Sequence, residues 1–492
     1  MKFSDLFHKK KHSGYKGDNY AGPICTDTLR RIFSGCSDFE CREIYAGGKP
    51  VKGLSVCYVD GLVNTELLSE AVIRPLTEAG RLAGTRSARE CLELSKHGAI
   101  YDCSVKERTD INEVVFDILS GLCAVVFDNE RTALCFETRT TFWRSISSPE
   151  VDKSIKGAKD AFIEAIRINT SLVRRRMKTP SLKIENVDVR FQARCSVALV
   201  YLDGKVSEGT VAAVRRRLQA IDVDSAPSAG ALEEYLTDSS PLPFPQLLFT
   251  ERPDKFCLGL ISGRVGILID GLPTGFLFPV TLTQLMKVSE DNSQHYVVST
   301  ALMLLRYAAV VLSVLLPAVY VAVAMYHQEM VPMKLLASII EAKQHVPFST
   351  AAEILGMLLA FELLQEAGLR LPSTVGQTVS IIGALIVGQS AVEAKVISQI
   401  AVIVVALAGI AGFAMPNQDL SAAFRLCRFG LVFAAILAGA FGVAAGVTLI
   451  IYLLCTIEHM GVAYMSPLAD GSGKSLFSGL TRPPLRGRED RS

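Results

Sequence analysis

Three carboxylates, Glu353, Glu362 and Glu366, stand in a stretch that is otherwise apolar, from Ser349-Thr-Ala-Ala to Leu363-Leu-Gln-Glu-Ala-Gly368. An acid inside a membrane is a functional candidate by default, because its charge must be paired, hydrated or neutralised there. A helix at the membrane surface with its acids in water carries the same pattern, and Glu366 precedes Arg370 by four residues, the spacing of a simple helical ion pair. Four aspartates, Asp60, Asp128, Asp203 and Asp270, each follow an apolar run and could converge on a metal or ligand. Aspartate also opens turns, and at four similar positions the turn reading is preferred. Asp470-Gly-Ser-Gly-Lys-Ser475 resembles the end of a phosphate-binding loop, but Leu468 stands where that loop needs a glycine and Ser466-Pro467 interrupts the strand before it. No nucleophile elbow, zinc-protease helix or dinucleotide fingerprint occurs, so the sequence does not read as an enzyme, and no metal or cofactor is expected.

A second pattern suits transport rather than catalysis. Gly376, Ser380, Ala384 and Gly388 recur at steps of four, and Ser373 and Gln377 fall near the same helical face. Such a stripe allows close helix contact, either around a water-filled path between symmetry mates or in a tight pair within one subunit. Gly439, Gly442 and Gly446 mark another close contact.

The elements that must carry these residues follow from charge. The chain has 492 residues, a net charge of +2, 50% hydrophobic residues and 20% charged ones. That balance gives no electrostatic argument for a nucleic-acid partner. Residues 300–465 hold only seven of the 51 Lys/Arg and eight of the 49 Asp/Glu. Four runs without charge, 307–328, 371–392, 396–418 and 429–457, each reach the ~20 residues that cross a bilayer. The N-terminus is basic but lacks the apolar run of a secretory signal, which predicts a cytoplasmic N-terminal region. Twelve scattered cysteines without a CxxC pair read as reduced, buried thiols, and none of the seven histidines has ligand spacing. Four spans return the basic tail to the cytoplasm but leave Arg425 and Arg428 outside, against the positive-inside rule.

The polar part repeats itself. Val56-Cys-Tyr-Val-Asp-Gly-Leu-Val-Asn64 matches Leu199-Val-Tyr-Leu-Asp-Gly-Lys-Val-Ser207 at an offset of 143, and Ile118 to Asp128 matches Leu260 to Asp270 at 142. Each copy reads as strand, turn, helix, then a Ser-Gly helix end, strand, turn and strand. The expected fold is therefore α+β / α/β: two repeated cytoplasmic α/β subdomains followed by an α-helical transmembrane domain. The expected boundaries are an N-terminal segment 1–50, subdomains 51–150 and 191–298, a basic helical linker 151–190, a membrane domain 299–465 and a basic tail 466–492. Within the linker, a helix over 160–187 turns basic at Arg174-Arg-Arg-Met-Lys178, facing phosphate, an acidic neighbouring subunit, a membrane surface or solvent.

A series of motifs in order resembles the A subunit of the GerA-type spore germination receptors. It includes Lys156-Gly-Ala-Lys-Asp-Ala-Phe, Arg167-Ile-Asn-Thr-Ser-Leu-Val-Arg-Arg-Arg176, Pro243-Phe-Pro-Gln246 and Gly263-Arg-Val-Gly-Ile-Leu-Ile-Asp-Gly271. Phe361 to Pro372, Gly376 to Gly383 and Gly388-Gln-Ser-Ala-Val-Glu-Ala394 extend it into the membrane part, with a departure at Gln389-Ser390. The resemblance implies a multi-pass protein of the spore inner membrane that works with a permease-like B subunit and a lipoprotein C subunit. It further implies a homo-oligomer, a ring of five, forming a nutrient-gated channel for monovalent cations. The alternatives it leaves are a stage V sporulation AF-type paralogue that amplifies the response, or a non-conducting receptor scaffold. The stripe of Ser373, Gly376, Gln377, Ser380, Ala384 and Gly388 is then the expected pore lining.

Overall fold

The computed structural model describes residues 19–46, 54–78, 82, 85, 87–100, 104–140, 149, 157–187, 189–191, 195–223, 229–237, 242–370, 388–469 and 479–482. The chain forms two compact units, whose described residues are those up to 237 together with 246–280 in one, and 242–245 with 281–482 in the other.

Runs rich in Val, Leu, Phe and Cys make the central strands of the first unit, where side chains are buried on both faces. One sheet contains β1 (Phe39–Glu43), β2 (Leu54–Val59), β3 (Val105–Arg108), β4 (Leu122–Phe127) and β5 (Thr132–Glu137), in the order β1-β2-β4-β5-β3. The other contains β6 (Leu182–Val187), β7 (Val197–Leu202), β8 (Leu248–Thr250), β9 (Val265–Ile269) and β10 (Gly275–Phe278), in the order β6-β7-β9-β10-β8. Neighbours are antiparallel throughout, so each subdomain is α+β. Pairing repeats residue by residue: Phe39 faces Val59 as Leu182 faces Leu202, and Val126 faces Ala133 as Leu268 faces Gly275. After the second strand of each sheet, Asp60 N–H donates to Asp38 O at 2.7 Å and Asp203 N–H to Ser181 O at 2.8 Å. The matched aspartates thus occupy equivalent turns.

The helices repeat as well. α1 (Thr26–Ile32) and α2 (Ile111–Leu119) belong to the first copy, α3 (Ile166–Arg176) and α4 (Pro253–Ile261) to the second. α2 and α4 both end at Ser-Gly because the chain needs a left-handed residue there: φ is +90° at Gly121 and +83° at Gly263. A Cβ at either would also lie 3.0 Å from a backbone oxygen, Leu62 O or Lys205 O. In the first sheet alternate residues feed two cores, Cys123, Val125 and Phe127 on one face and Ala124 and Val126 on the other.

The strand-end aspartates serve these helices and do not converge. Asp128 Oδ1 accepts from Thr26 N at 2.7 Å and caps α1, while Asp270 Oδ1 accepts from Ile166 N at 3.1 Å and caps α3. Asp60 pairs with Arg167 at 2.5 Å, and Asp203 is exposed.

Two expectations are corrected here. The linker helix is only Ile166–Arg176; Thr179-Pro180 stops it, and Leu182–Val187 is an edge strand. One residue of its basic run turns inward, while Arg176 and Lys178 stay exposed. Arg174 is fully buried, donating to Asp38 from Nε (3.0 Å) and Nη2 (2.8 Å) and to the Thr179 and Leu182 carbonyls from Nη1. With Ser37 N–H donating to Ile184 O at 2.7 Å and Lys183 Nζ to Ser34 O at 2.6 Å, it joins the two copies. The cysteines are not all scattered: the β1–β2 register sets Cys41 opposite Cys57, so that their sulfurs adjoin.

The second unit is helical: α5 (Tyr296–Tyr326), α6 (Met333–Lys343), α7 (Thr350–Arg370), α8 (Gln399–Phe413) and α9 (Gln418–Thr456). Two helices, α5 and α9, are long and apolar enough to cross a membrane. The expected spans at 396–418 and 429–457 change character. α8 has 15 residues, roughly 22 Å, short of a ~30 Å hydrocarbon core. α9 doubles back at Ala438 and Gly439, which have non-helical φ/ψ. A Cβ on Gly446 would lie 2.5 Å from Leu431 Cδ2, and one on Gly442 would strike Ala434 O, contacts a straight helix forbids. The glycine stripe therefore closes a hairpin with arms of about 20 and 17 residues.

Candidate functional site

The charged residues of the helical unit form the site. α7 begins after Phe348-Ser349 and carries Glu353 in its first turn, where a carboxylate complements the helix dipole. Glu353 is 2% exposed. Its Oε2 accepts from the backbone N–H of Ser398 at 2.9 Å, and Lys343 Nζ lies 3.5 Å from Oε1. Ser398 is itself the N-cap of α8, its hydroxyl accepting from Ala401 N at 3.3 Å. Lys343 also donates to Thr350 Oγ1. One carboxylate thus ties the end of α6, the start of α7 and the start of α8.

Nine residues on, Glu362 meets the two arginines of α9. Its Oε1 is 2.8 Å from Arg425 Nη1, which also donates to Gln365 Oε1 at 2.8 Å, and its Oε2 is 3.6 Å from Arg428 Nη2. Arg428 is 1% exposed. One carboxylate between two guanidiniums leaves a net positive cluster, and among the described residues Arg428 Nε and Nη2 and Arg425 Nε are buried without a hydrogen-bond acceptor. Breaking such a buried pair by removing one partner costs about 3–5 kcal/mol, since the remaining charge is stranded. Glu366, one turn further, lies at the surface.

Of the residues singled out in the sequence, Glu353 is thus buried and paired, Glu362 is paired but part-exposed, and Glu366 is exposed. Ser373, Gly376, Gln377, Ser380 and Ala384 lie outside the described residues, as does Asp470-Gly-Ser-Gly-Lys-Ser475. Gly388 is buried, and a Cβ there would stand 3.8 Å from Val402 Cγ1. Lys343 and Ser398 were not anticipated. Arg425 and Arg428 stood out only as a charge on the wrong side, yet two arginines three apart on an apolar helix already ask for an acid on a neighbour. Among the described residues no cluster of His, Cys, Asp and Glu could hold a metal ion.

The outside of this unit is the reverse of its inside. Leu305, Val311, Leu363, Ile410, Phe433 and Phe441 are all more than half exposed. Apolar surface of that extent on helices marks contact with lipid or protein. A doubled α+β unit followed by a helical unit with paired charges inside and apolar side chains outside defines a membrane protein with a folded polar domain.

Comparison makes the assignment specific. The family described as Bacillus/Clostridium GerA spore germination protein matches residues 27–492. The chain is 34% identical to spore germination protein KA of Bacillus subtilis (strain 168) over 94% of its own length and 85% of that protein's. It is 35% identical to the uncharacterized membrane protein YfkQ of the same organism, over 90% and 85%. Spore germination protein B1 is 31% identical over 93% and 94%. The crystal structure of the N-terminal domain of the A subunit of the Bacillus megaterium spore germinant receptor GerK3 aligns with 53% of this chain and 96% of that one, at 24% identity and a TM-score of 0.41. The chain belongs to the GerA family of spore germination proteins.

Proposed function

We propose that this chain is a subunit of a spore nutrient receptor that assembles in the spore inner membrane, as a ring of five, into a nutrient-gated channel for monovalent cations. It works beside a permease-like B subunit and a lipoprotein C subunit, with its α+β unit on the cytoplasmic side. Family membership supports the place in germination. The observation that carries the channel reading is the double clamp on α7: Glu353 fixes its start, Glu362 fixes its middle, and its end at Arg370 leads into the small, polar stripe of Ser373 to Gly388. A stripe meant to face water needs a helix held by charge rather than by apolar packing alone.

Bulk in the stripe tests the reading. Ser380→Phe and Ala384→Phe are expected to abolish nutrient-triggered cation release from spores while assembly, read by crosslinking, is unchanged. Val387→Ala is expected to leak cations without nutrient. Normal release from both phenylalanine variants in an intact assembly would contradict it.

A further inference from the structure

α6 has eleven residues and none is buried. At 100° per residue Met333, Ala337 and Ile340 share one arc, while Lys334, Ser338 and Glu341 share the adjacent one. Met333 is 79% exposed and Ile340 57% exposed, although the second unit has a core available to them. On a third arc Leu336 and Ile339, with Val323 and Ala324 of α5, line an open groove of about 670 Å³ that Ala337, Ile340 and Glu341 also border. The helix is therefore apolar outward, polar beside that face, and anchored by its remaining side and by Lys343 on Glu353.

Its level in the unit is fixed by two markers. α5, long and apolar enough to cross a membrane, ends at Tyr326, and six residues, 327–332, separate it from α6. The Tyr326 hydroxyl donates to Ile436 O at 2.5 Å, and a Cβ on Gly439 would lie 3.1 Å from the Tyr326 side chain, so the α9 hairpin turns at the same height. A span that ends where a neighbouring hairpin reverses marks the membrane boundary, and tyrosine is favoured there. Eleven residues, roughly 16 Å, cannot cross the bilayer, and the polar arc forbids burial in its core.

We infer that α6 lies in the phospholipid interface, with Met333, Ala337 and Ile340 inserted among the acyl chains and Lys334, Ser338 and Glu341 at the headgroups. The groove beside Leu336 and Ile339 admits an acyl chain between α6 and α5. The occupant is lipid because the face continues a membrane-spanning helix at its boundary: in the connection Met330 is 70% exposed, beside the exposed polar Gln328 and Glu329 that belong at headgroup level.

The chain has a single tryptophan, Trp143, which makes tryptophan scanning clean. In the full-length chain carrying Trp143→Phe, reconstituted in phosphatidylglycerol–phosphatidylcholine vesicles, Met333→Trp and Ile340→Trp are expected to be quenched by dibrominated phosphatidylcholine at least twofold more than by aqueous iodide. Ser338→Trp and Glu341→Trp are expected to show the opposite ratio. Val311→Trp, on the outward face of α5, reports membrane insertion of the unit independently. If Trp143→Phe does not fold, the same ratios follow from the difference between each variant and the wild-type chain. Iodide quenching of all four positions, with Val311→Trp still quenched by bromolipid, would place α6 in water. Quenching of positions 333 and 340 by neither agent would place them under protein, and either result overturns the inference.

Discussion

Arg174 sets the firmest condition in the first unit, because its whole fork is spent: two nitrogens on Asp38 and one shared by two carbonyls. Arg174→Ala strands Asp38 and is expected to cost about 3–5 kcal/mol. Arg174→Lys keeps the charge but not the fork and should recover only part of that loss. Thermal unfolding of the detergent-purified chain, following the β-sheet signal, measures both. In the helical unit the corresponding residue is Glu362. Glu362→Gln preserves volume but leaves two guanidiniums uncompensated, so α7 should loosen. Spores carrying it are expected to release cations several-fold faster without nutrient, and the double variant Glu362→Gln/Arg428→Gln, one charge fewer, to fall back toward wild type. An unchanged basal rate at normal protein level would remove the clamp from the gating scheme. The sequence named Glu362 but not its partners, since spacing along one helix says nothing of which acid two arginines on another will meet. Cys41 and Cys57 were hidden for the same reason: their meeting depends on strand register across 16 residues.

Elements were more legible where both copies speak. The offsets of 143 and 142 hold in every strand pair, and they also expose a compensation between the copies. In the second, the Phe256 ring of α4 sits over Gly266 and Gly275, where added Cβ atoms would come within 2.9 Å of it. At the matching places the first copy has Val114 over Ala124 and Ala133, all in one core. A large residue over two glycines replaces a medium one over two alanines, which conserves volume. Gly266→Ala alone is therefore expected to cost about 1–3 kcal/mol, and Gly266→Ala with Phe256→Val less than the sum of the singles by about 1 kcal/mol or more. Additive losses in urea unfolding would show that the copies do not share this packing rule. The helices were harder to read. The Gly439, Gly442 and Gly446 stripe reads identically for contact between two helices and for contact within a hairpin, and only the reversal at Ala438 and Gly439 separates them. Lys183 and Glu185 belong to an edge strand, and their alternation is as compatible with a helix flank as with a strand that has one polar face.

At the scale of the whole molecule, a charge-paired interior and an apolar exterior make the helical unit a membrane domain, and family membership ties it to germination. The claim that remains to be measured is that copies of this chain enclose a path for ions along Ser373 to Gly388. Thiol accessibility measures it directly, read against the wild-type chain, whose own Cys455 is exposed. Burial pushes the Cys135 and Cys257 thiols up to about 12, so they stay protonated and inert at neutral pH. Spores carrying Ser380→Cys or Ala384→Cys would be treated with a charged, water-soluble thiol reagent during nutrient exposure while cation release is recorded. The expected result is labelling at both positions and a block of release, with Ile382→Cys and Gln389→Cys unlabelled. Labelling of 382 and 389 with 380 and 384 left unreactive would contradict the claim, placing any ion path elsewhere and reducing the stripe to a packing contact.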